Sequence, residues 1–288
     1  MPRRAGQEAS RDAALQIARE LRRLDADRCL AVLAAPPPDA APLLALFLLN
    51  AELARSGELS QGPLLAELRL QWWHDALAEA AAGRPKEQPV LRALAAPLSE
   101  GRLPLAELQA LVELRQGELA EAPFPDRAAM AEHATAGGGC LNALAARLLG
   151  AAGPETEAAA KIGAAFALVG LLRAAGHHAA FGRLLLPMDE LARAGATLQS
   201  LREGKRGEDL REFAEAVASR AAALLTEARS LLPRLPRGRA APFLLAALAD
   251  LYLRRLGHAG FNPLAQEFVR PPPGRAWRLL LHRLKGHT

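Results

Sequence analysis

The sequence predicts an all-α fold, and three observations carry that prediction. Apolar residues recur at i, i+3, i+4 and i+7 along most of the chain, the spacing of one helix face. Proline and glycine fall between these segments, as starts and stops. Strand signals are nearly absent: aromatic residues make up 4% of the chain, valine and isoleucine are scarce, and no Asn-Gly or Asp-Gly hairpin turn occurs. Short connections set neighbouring helices antiparallel. No period of about 30–50 residues repeats, which argues against a solenoid. The 288 residues suffice for one sizeable core, and the chain reads as a single domain over 1–288.

Taken in order, residues 1–9 are expected to be flexible, and Ser10 caps a segment running to about Ala35, where the prolines at 36–38 stop it. Asp39 opens the next segment, with Pro42 in its first turn and its end near Gly57. Pro63 begins a third, which Gly83 closes. Further starts fall near Pro89, Pro104, Pro125, Pro154, Pro187 and Gly207, and the last two segments cover about 240–257 and 274–285, for about ten helices in all. The loosest stretch, LQSLREGKRGEDL at 198–210, reads as a mobile loop or a weak hinge. Glu208, Asp209, Glu212 and Glu215 front the helix that follows it and complement its dipole.

Composition narrows the function. Hydrophobic residues make up 51% and charged residues 23%, ordinary for a globule. The formal net charge of +5 is almost all arginine, since Lys86, Lys161, Lys205 and Lys285 are the lysines. Arginine forks suit phosphates and carboxylates, but no interleaved aromatics or nucleic-acid module accompany them, so nucleic acid is not an expected partner. Cys29 and Cys140 are far apart and outside any CxxC spacing, which implies neither a disulfide framework nor a zinc site. The first residues lack the apolar core of a secretory signal, and no apolar run reaches the ~18 residues of a membrane span. The expected location is cytoplasmic.

Three strings stand out. In LLAELRLQWWHDAL, 64–77, Leu65, Leu68 and Trp72 share one helical face while Glu67, Gln71, His74 and Asp75 share another. The polar face either lines a cavity walled by Trp72 or is a solvated stripe with Trp72 in the core. HATAGGGCLNALAARLLG, 133–150, puts three glycines inside a helical pattern. Each costs about 1 kcal/mol against alanine, so the run implies a close helix approach, a kink, or a ligand lying against bare backbone, with a kinked helix beside a cavity and simple close packing the leading readings. GLLRAAGHHAAFGRLLLPMDEL, 170–191, ends an apolar helix on His177 and His178. Adjacent residues point about 100° apart, so the pair cannot face one metal. The tail GRAWRLLLHRLKGHT sets Trp277, Leu280, Leu281 and Leu284 against Arg275, Arg278, His282 and Lys285. Such a helix suits an anionic membrane surface or docks by its apolar face onto the body, the commoner arrangement.

Together with PLLALFLLNAELARSGEL, 42–59, and IGAAFALVGLLRAAGHHAAFGRLLLPMDEL, 162–191, these strings resemble the squalene/phytoene synthase family over about residues 20–285. NAELAR, RLQWW and YLRRLGHAGFNPL are similar to the branch that holds mitochondrial complex I assembly factors and bacterial relatives. The resemblance implies the isoprenoid-synthase fold, helices around a central cavity. It also implies two facing aspartate-rich motifs that hold Mg²⁺ and a diphosphate. Where the first should lie the chain has Ala54, Arg55, Ser56, Gly57 and Glu58, and the expected aspartates of the second fall on Ala174 and His178. No two of the nine aspartates are four residues apart, and His133 stands nearest the place of the family's tyrosine. The resemblance therefore implies a non-catalytic binding or assembly protein with no cofactor. Its expected partners are respiratory-chain assembly components or a membrane surface, peripheral to the inner membrane, or an isoprenoid or lipid ligand. The expected cavity residues are Asn50, Leu53, Arg55, Gln71, Gly138, Asn142, Arg173, His177 and Arg183. If instead the chain is a prenyl diphosphate transferase with a rearranged Mg²⁺ site, Glu52, Glu58, Glu67, Gln71 and Asp75 would supply the oxygens.

Overall fold

The computed structural model describes residues 2–60, 62–119 and 124–286, with the side chains of the first helix from Asp12 onward. Among the described residues the chain is helical, with no strand. The elements are α1 (Pro2–Leu24), α2 (Ala26–Val32), α3 (Pro37–Ala54), α4 (Ser56–Leu59), α5 (Pro63–Ala81), α6 (Pro89–Ser99), α7 (Leu105–Gly117), α8 (Arg127–Ala134), α9 (Cys140–Leu148), α10 (Pro154–Arg173), α11 (Ala175–Ala180), α12 (Met188–Arg193), α13 (Leu198–Arg202), α14 (Arg211–Leu231), α15 (Leu245–His258), α16 (Gln266–Val269) and α17 (Arg275–Lys285). The excess over ten comes from short helices, α2, α4, α11, α12, α13 and α16, which bridge the long ones.

Punctuation places the starts well. Pro63, Pro89 and Pro154 stand at N1 of α5, α6 and α10, where a missing N–H costs nothing. Pro104 and Pro187 precede α7 and α12, and Asp126, just after Pro125, caps α8 through the Ala129 amide at 2.9 Å. Two boundaries differ from expectation. The first segment is broken at Asp25, whose carboxylate caps α2 by accepting from the Arg28 amide at 3.0 Å. α1 also starts at Pro2, ahead of Ser10. The expected loose stretch 198–210 is partly helix: Thr197 and Ser200 form a capping box on α13, and Asn262 donates to Glu208 at 3.0 Å.

Two apolar clusters make the core. One gathers α10, α14 and α15, the other α3, α5, α6, α7 and α9. Their joint is the glycine run. Thr135–Gly139 forms a single π-helical turn between α8 and α9, and there the chain passes against α10. A Cβ on Gly138 would lie 2.7 Å from the Gly163 carbonyl oxygen, and one on Gly163 would lie 2.9 Å from the Gly138 carbonyl carbon. Kink and close approach, the two readings of these glycines, are thus one feature. Asn142 locks it, donating to the carbonyls of Ala159 at 2.7 Å and Pro242 at 3.1 Å.

On α5 the expected face is turned outward. Leu64, Leu65, Leu68 and Trp72 are exposed, while Ala66, Leu70, Trp73, Ala76, Leu77 and Ala80 are buried. The stripe that packs follows steps of four and three from Ala66 through Leu70, Trp73 and Leu77 to Ala80 and is rich in alanine, so α6 and α7 approach closely. Trp72 is therefore neither core nor cavity wall; its ring lies edge-on to Trp73, and Lys86 sits 6.0 Å from its centroid.

Candidate functional site

A cavity of about 270 Å³ opens where the two halves of the core meet. Asn50, Ala51 and Ala54 at the end of α3 form one wall, with Arg55 just beyond. Phe166, Ala167, Gly170 and Leu171 of α10 form the opposite wall, and Gly137 and Gly138 expose bare backbone between them. Polar groups enter from four places: Asp25 and Arg28 at the α1–α2 break, Arg115 and Glu118 at the end of α7, His133 on α8 and His178 on α11.

Glu118 is the electrostatic centre. Its side chain is 3% exposed, yet three basic groups converge on it. Arg115 forms a close ion pair with it, His133 Nε2 lies at 2.7 Å, and Arg183 Nη2 donates at 2.9 Å. Burial pushes the carboxyl pKa up, but the Arg115 charge, the His133 hydrogen bond and the Arg183 charge outweigh it, so the group sits well below the usual carboxylate range. Arg115 also donates to Asn50 Oδ1 at 3.2 Å, tying α7 to α3.

The other acids nearby are held in the same way. Asp25 receives Arg28 Nη1 at 2.6 Å, and that guanidinium lies 5.0 Å from the Phe166 ring centroid and 5.7 Å from that of Phe47. At the rim Glu58 meets His177 Nε2 at 3.0 Å and Arg55 Nε at 3.7 Å. The Glu58 hydrogen bond raises the His177 pKa. Burial raises the carboxyl pKa of Glu58, but His177 and its neighbours bring it below the ordinary value. His178 is pushed down to about 4, by burial first and then by the Arg183 charge, so its ring is neutral near pH 7. Its Nδ1 is buried without a hydrogen-bond partner.

Beside the cavity lies a second buried network. Asp27 is 4% exposed and accepts from the Tyr252 hydroxyl at 2.6 Å, pairs closely with Arg275, and lies 3.6 Å from Arg173. The Arg173 guanidinium stacks 4.1 Å from the centre of the Tyr252 ring.

Of the expected cavity residues, Asn50, Arg55 and Gly138 line it. Arg183 acts through Glu118, and His177 stands at the rim on Glu58. The remaining four are placed differently. Leu53 is core, Asn142 clamps backbone, and Arg173 turns to Asp27 because that buried carboxylate draws it away. Gln71 donates to Asp75 on the exposed face of α5, whose inverted orientation carries both away from the cavity. The alternative oxygen donors do not converge either. Glu52 pairs with Arg69 at 3.0 Å, Glu58 with His177, and Glu67 and Asp75 are exposed. Among the described residues no group of three His, Cys, Asp or Glu side chains could hold a metal ion. Arg28, Arg115 and Glu118 were not among the expected residues; the one local signal is a spacing of three, Asp25–Arg28 and Arg115–Glu118, which sets opposite charges on one helical face.

Helices packed around a cavity between two core halves are the architecture of the isoprenoid-synthase-like proteins. The chain belongs to the squalene/phytoene synthase family, whose model matches residues 21–283. It is similar to NADH dehydrogenase (ubiquinone) complex I, assembly factor 6, of Mus musculus, at 25% identity over 84% of this chain and 73% of that protein. The homolog of that factor from Dictyostelium discoideum is 24% identical over 74% of this chain and 61% of its own length. Among solved structures the squalene synthase HpnC from Alicyclobacillus acidocaldarius superposes with a TM-score of 0.71 at 20% identity, covering 88% of this chain and 97% of that one. A dehydrosqualene synthase in complex with ligand gives 0.79 at 18% identity, covering 96% and 97%. These likenesses show the fold.

Proposed function

We propose that this chain is a non-catalytic member of the family with a binding or assembly role for respiratory complex I, working at the surface of the inner membrane. One observation carries the reading: the carboxylates around the cavity are already neutralised from within. Mg²⁺ takes oxygen ligands, chiefly carboxylates, in near-octahedral geometry. Here Asp25 faces Arg28, Glu118 faces Arg115, His133 and Arg183, and Glu58 faces His177 and Arg55. A dication brought to this cavity would meet guanidinium groups before it met a free oxygen, so the residues present do not fit the metal. On the resemblance, the first aspartate motif would fall on Ala54–Glu58 and aspartates of the second on Ala174 and His178, in keeping with this reading. The assembly role is supported by the similarity to complex I assembly factors in animals and Dictyostelium.

The test is the amount of assembled NADH dehydrogenase on native gels in cells lacking this protein. The expected result is a clear loss that the wild-type chain restores; an unchanged amount contradicts the assembly role. The cavity itself favours a second reading, binding of an isoprenoid or other lipid without chemistry. Leu24, Phe166, Leu171 and Leu185 provide an apolar wall, and Arg28 and Arg55 offer cations to an anionic head. Lipid that co-purifies stoichiometrically with the protein, while NADH dehydrogenase stays at normal amounts in its absence, would select that reading.

A further inference from the structure

The C-terminal helix is mounted with its apolar side outward. At about 100° per residue, Trp277, Leu280, Leu281 and Leu284 fall within one arc of roughly 100°. That arc faces solvent: Trp277 is 70% exposed and Leu284 73%, with Leu280 and Leu281 exposed between them. Two contacts on the other side hold the helix in this orientation. Leu279 enters the core, and Arg275 reaches the buried Asp27. Gly274, in the left-handed region at φ 76°, lets the chain turn into the helix at this angle. The expected docking by the apolar face would instead bury Trp277, Leu280, Leu281 and Leu284.

The surroundings extend the same surface. Leu33, at the end of α2, is 74% exposed and lies across a shallow groove from Leu280. The adjoining depression is lined by Arg234, Arg237, Arg283 and Lys285 and by no acidic residue. Among the described residues none of these four cations has an ion-pair partner. Arg278, on the flank of the same helix, has its Nε buried without a hydrogen-bond partner. No described helix is long and apolar enough to cross a membrane, so any attachment through described residues is peripheral.

From this geometry we infer that α17, with Leu33 and the arginines at 234 and 237, forms a face that seats on an anionic lipid surface. The chemistry is matched on both counts. Tryptophan and leucine side chains enter the headgroup boundary, and the arginine and lysine rim meets lipid phosphates. Charge separates this face from the other exposed apolar stripe. On α5, Leu64, Leu65, Leu68 and Trp72 are bordered by Glu67, Gln71 and Asp75, and the cations beside them, Arg69 and Lys86, are already paired with Glu52 and Glu79. The inference deepens the membrane-side part of the assembly reading. Its test contains no respiratory subunits, so either can fail while the other stands.

The experiment is co-sedimentation of the full chain with vesicles of phosphatidylcholine alone or with roughly 30 mol% phosphatidylglycerol. Wild type is expected to bind the anionic vesicles at least about tenfold more tightly, and to be released as salt rises from about 0.1 to about 0.5 M. L281E/L284E is expected to lose at least about tenfold in binding while keeping the wild-type melting temperature, because both side chains already face water. R211Q/R220Q, on α14, makes the same change of two charges and is expected to bind within about threefold of wild type. The inference is overturned if wild type ignores anionic vesicles, if L281E/L284E binds as wild type does, or if R211Q/R220Q weakens binding as much. It is overturned equally if L281E/L284E only dissolves a dimer of this chain and no vesicle binding occurs.

Discussion

A carboxylic acid cut off from water ordinarily keeps its proton, and Glu118 is ionised because two guanidinium groups and an imidazole surround it. The arrangement works only as a set. Removing the negative charge leaves Arg115 and Arg183 facing each other in a desolvated site, so Glu118→Gln is expected to cost about 3–5 kcal/mol in urea unfolding. A loss below about 1 kcal/mol would mean that the site relaxes freely. His178 sets a pH dependence. Its folded pKa of about 4 lies below the unfolded value of 6.5, so between those values the unfolded chain binds the extra proton and stability falls with acidification. The loss amounts to about 3 kcal/mol at about 1.4 kcal/mol per unit, and His178→Gln is expected to flatten that slope. His177 has the opposite sign in a different window, because its pKa is raised. Its contribution is complete below 6.5 and is lost as pH rises through the folded value. Glu118, with a lowered pKa, loses its contribution only below its unfolded value of 4.5.

At the scale of elements, the crossing of the π turn with α10 fixes the cavity, since Gly137 and Gly138 form its floor and α10 its wall. Gly163→Ala would press a methyl against the Gly138 backbone and the Asn142 side chain. It is expected to cost about 3 kcal/mol, read as a fall in melting temperature. A neutral substitution would show that the crossing has slack. The helix starts were legible because proline at N1 and a side-chain cap are local signals, as at Pro63, Pro154 and Asp126. The break at Asp25 was not, because an aspartate between helical segments reads equally as a solvated residue until its carboxylate is seen on the Arg28 amide. The face that α5 buries is hidden in the sequence for a related reason. Leucine and tryptophan dominate an amphipathic pattern, and the alanines that pack the real interface carry little weight in it. The glycine run announced a constraint without naming it, since kink and close approach leave the same trace in sequence.

For the whole molecule, the cavity lies at the boundary between two core clusters, so its lining comes from segments more than a hundred residues apart. Asn50, Arg55 and Gly138 were reached through the family pattern. Arg183 was reached the same way, but its convergence with Arg115 and His133 on Glu118 was not, because positions 115, 118, 133 and 183 meet only in three dimensions. What the fold assembles is a cavity whose acids already have cationic partners, and the proposed non-catalytic role rests on that pairing. The most direct measurement is release of diphosphate from farnesyl or geranylgeranyl diphosphate by the purified chain with Mg²⁺. The account predicts no release above a protein-free control at any protein concentration. Mg²⁺-dependent release that scales with protein, or a head-to-head prenyl product, would contradict it.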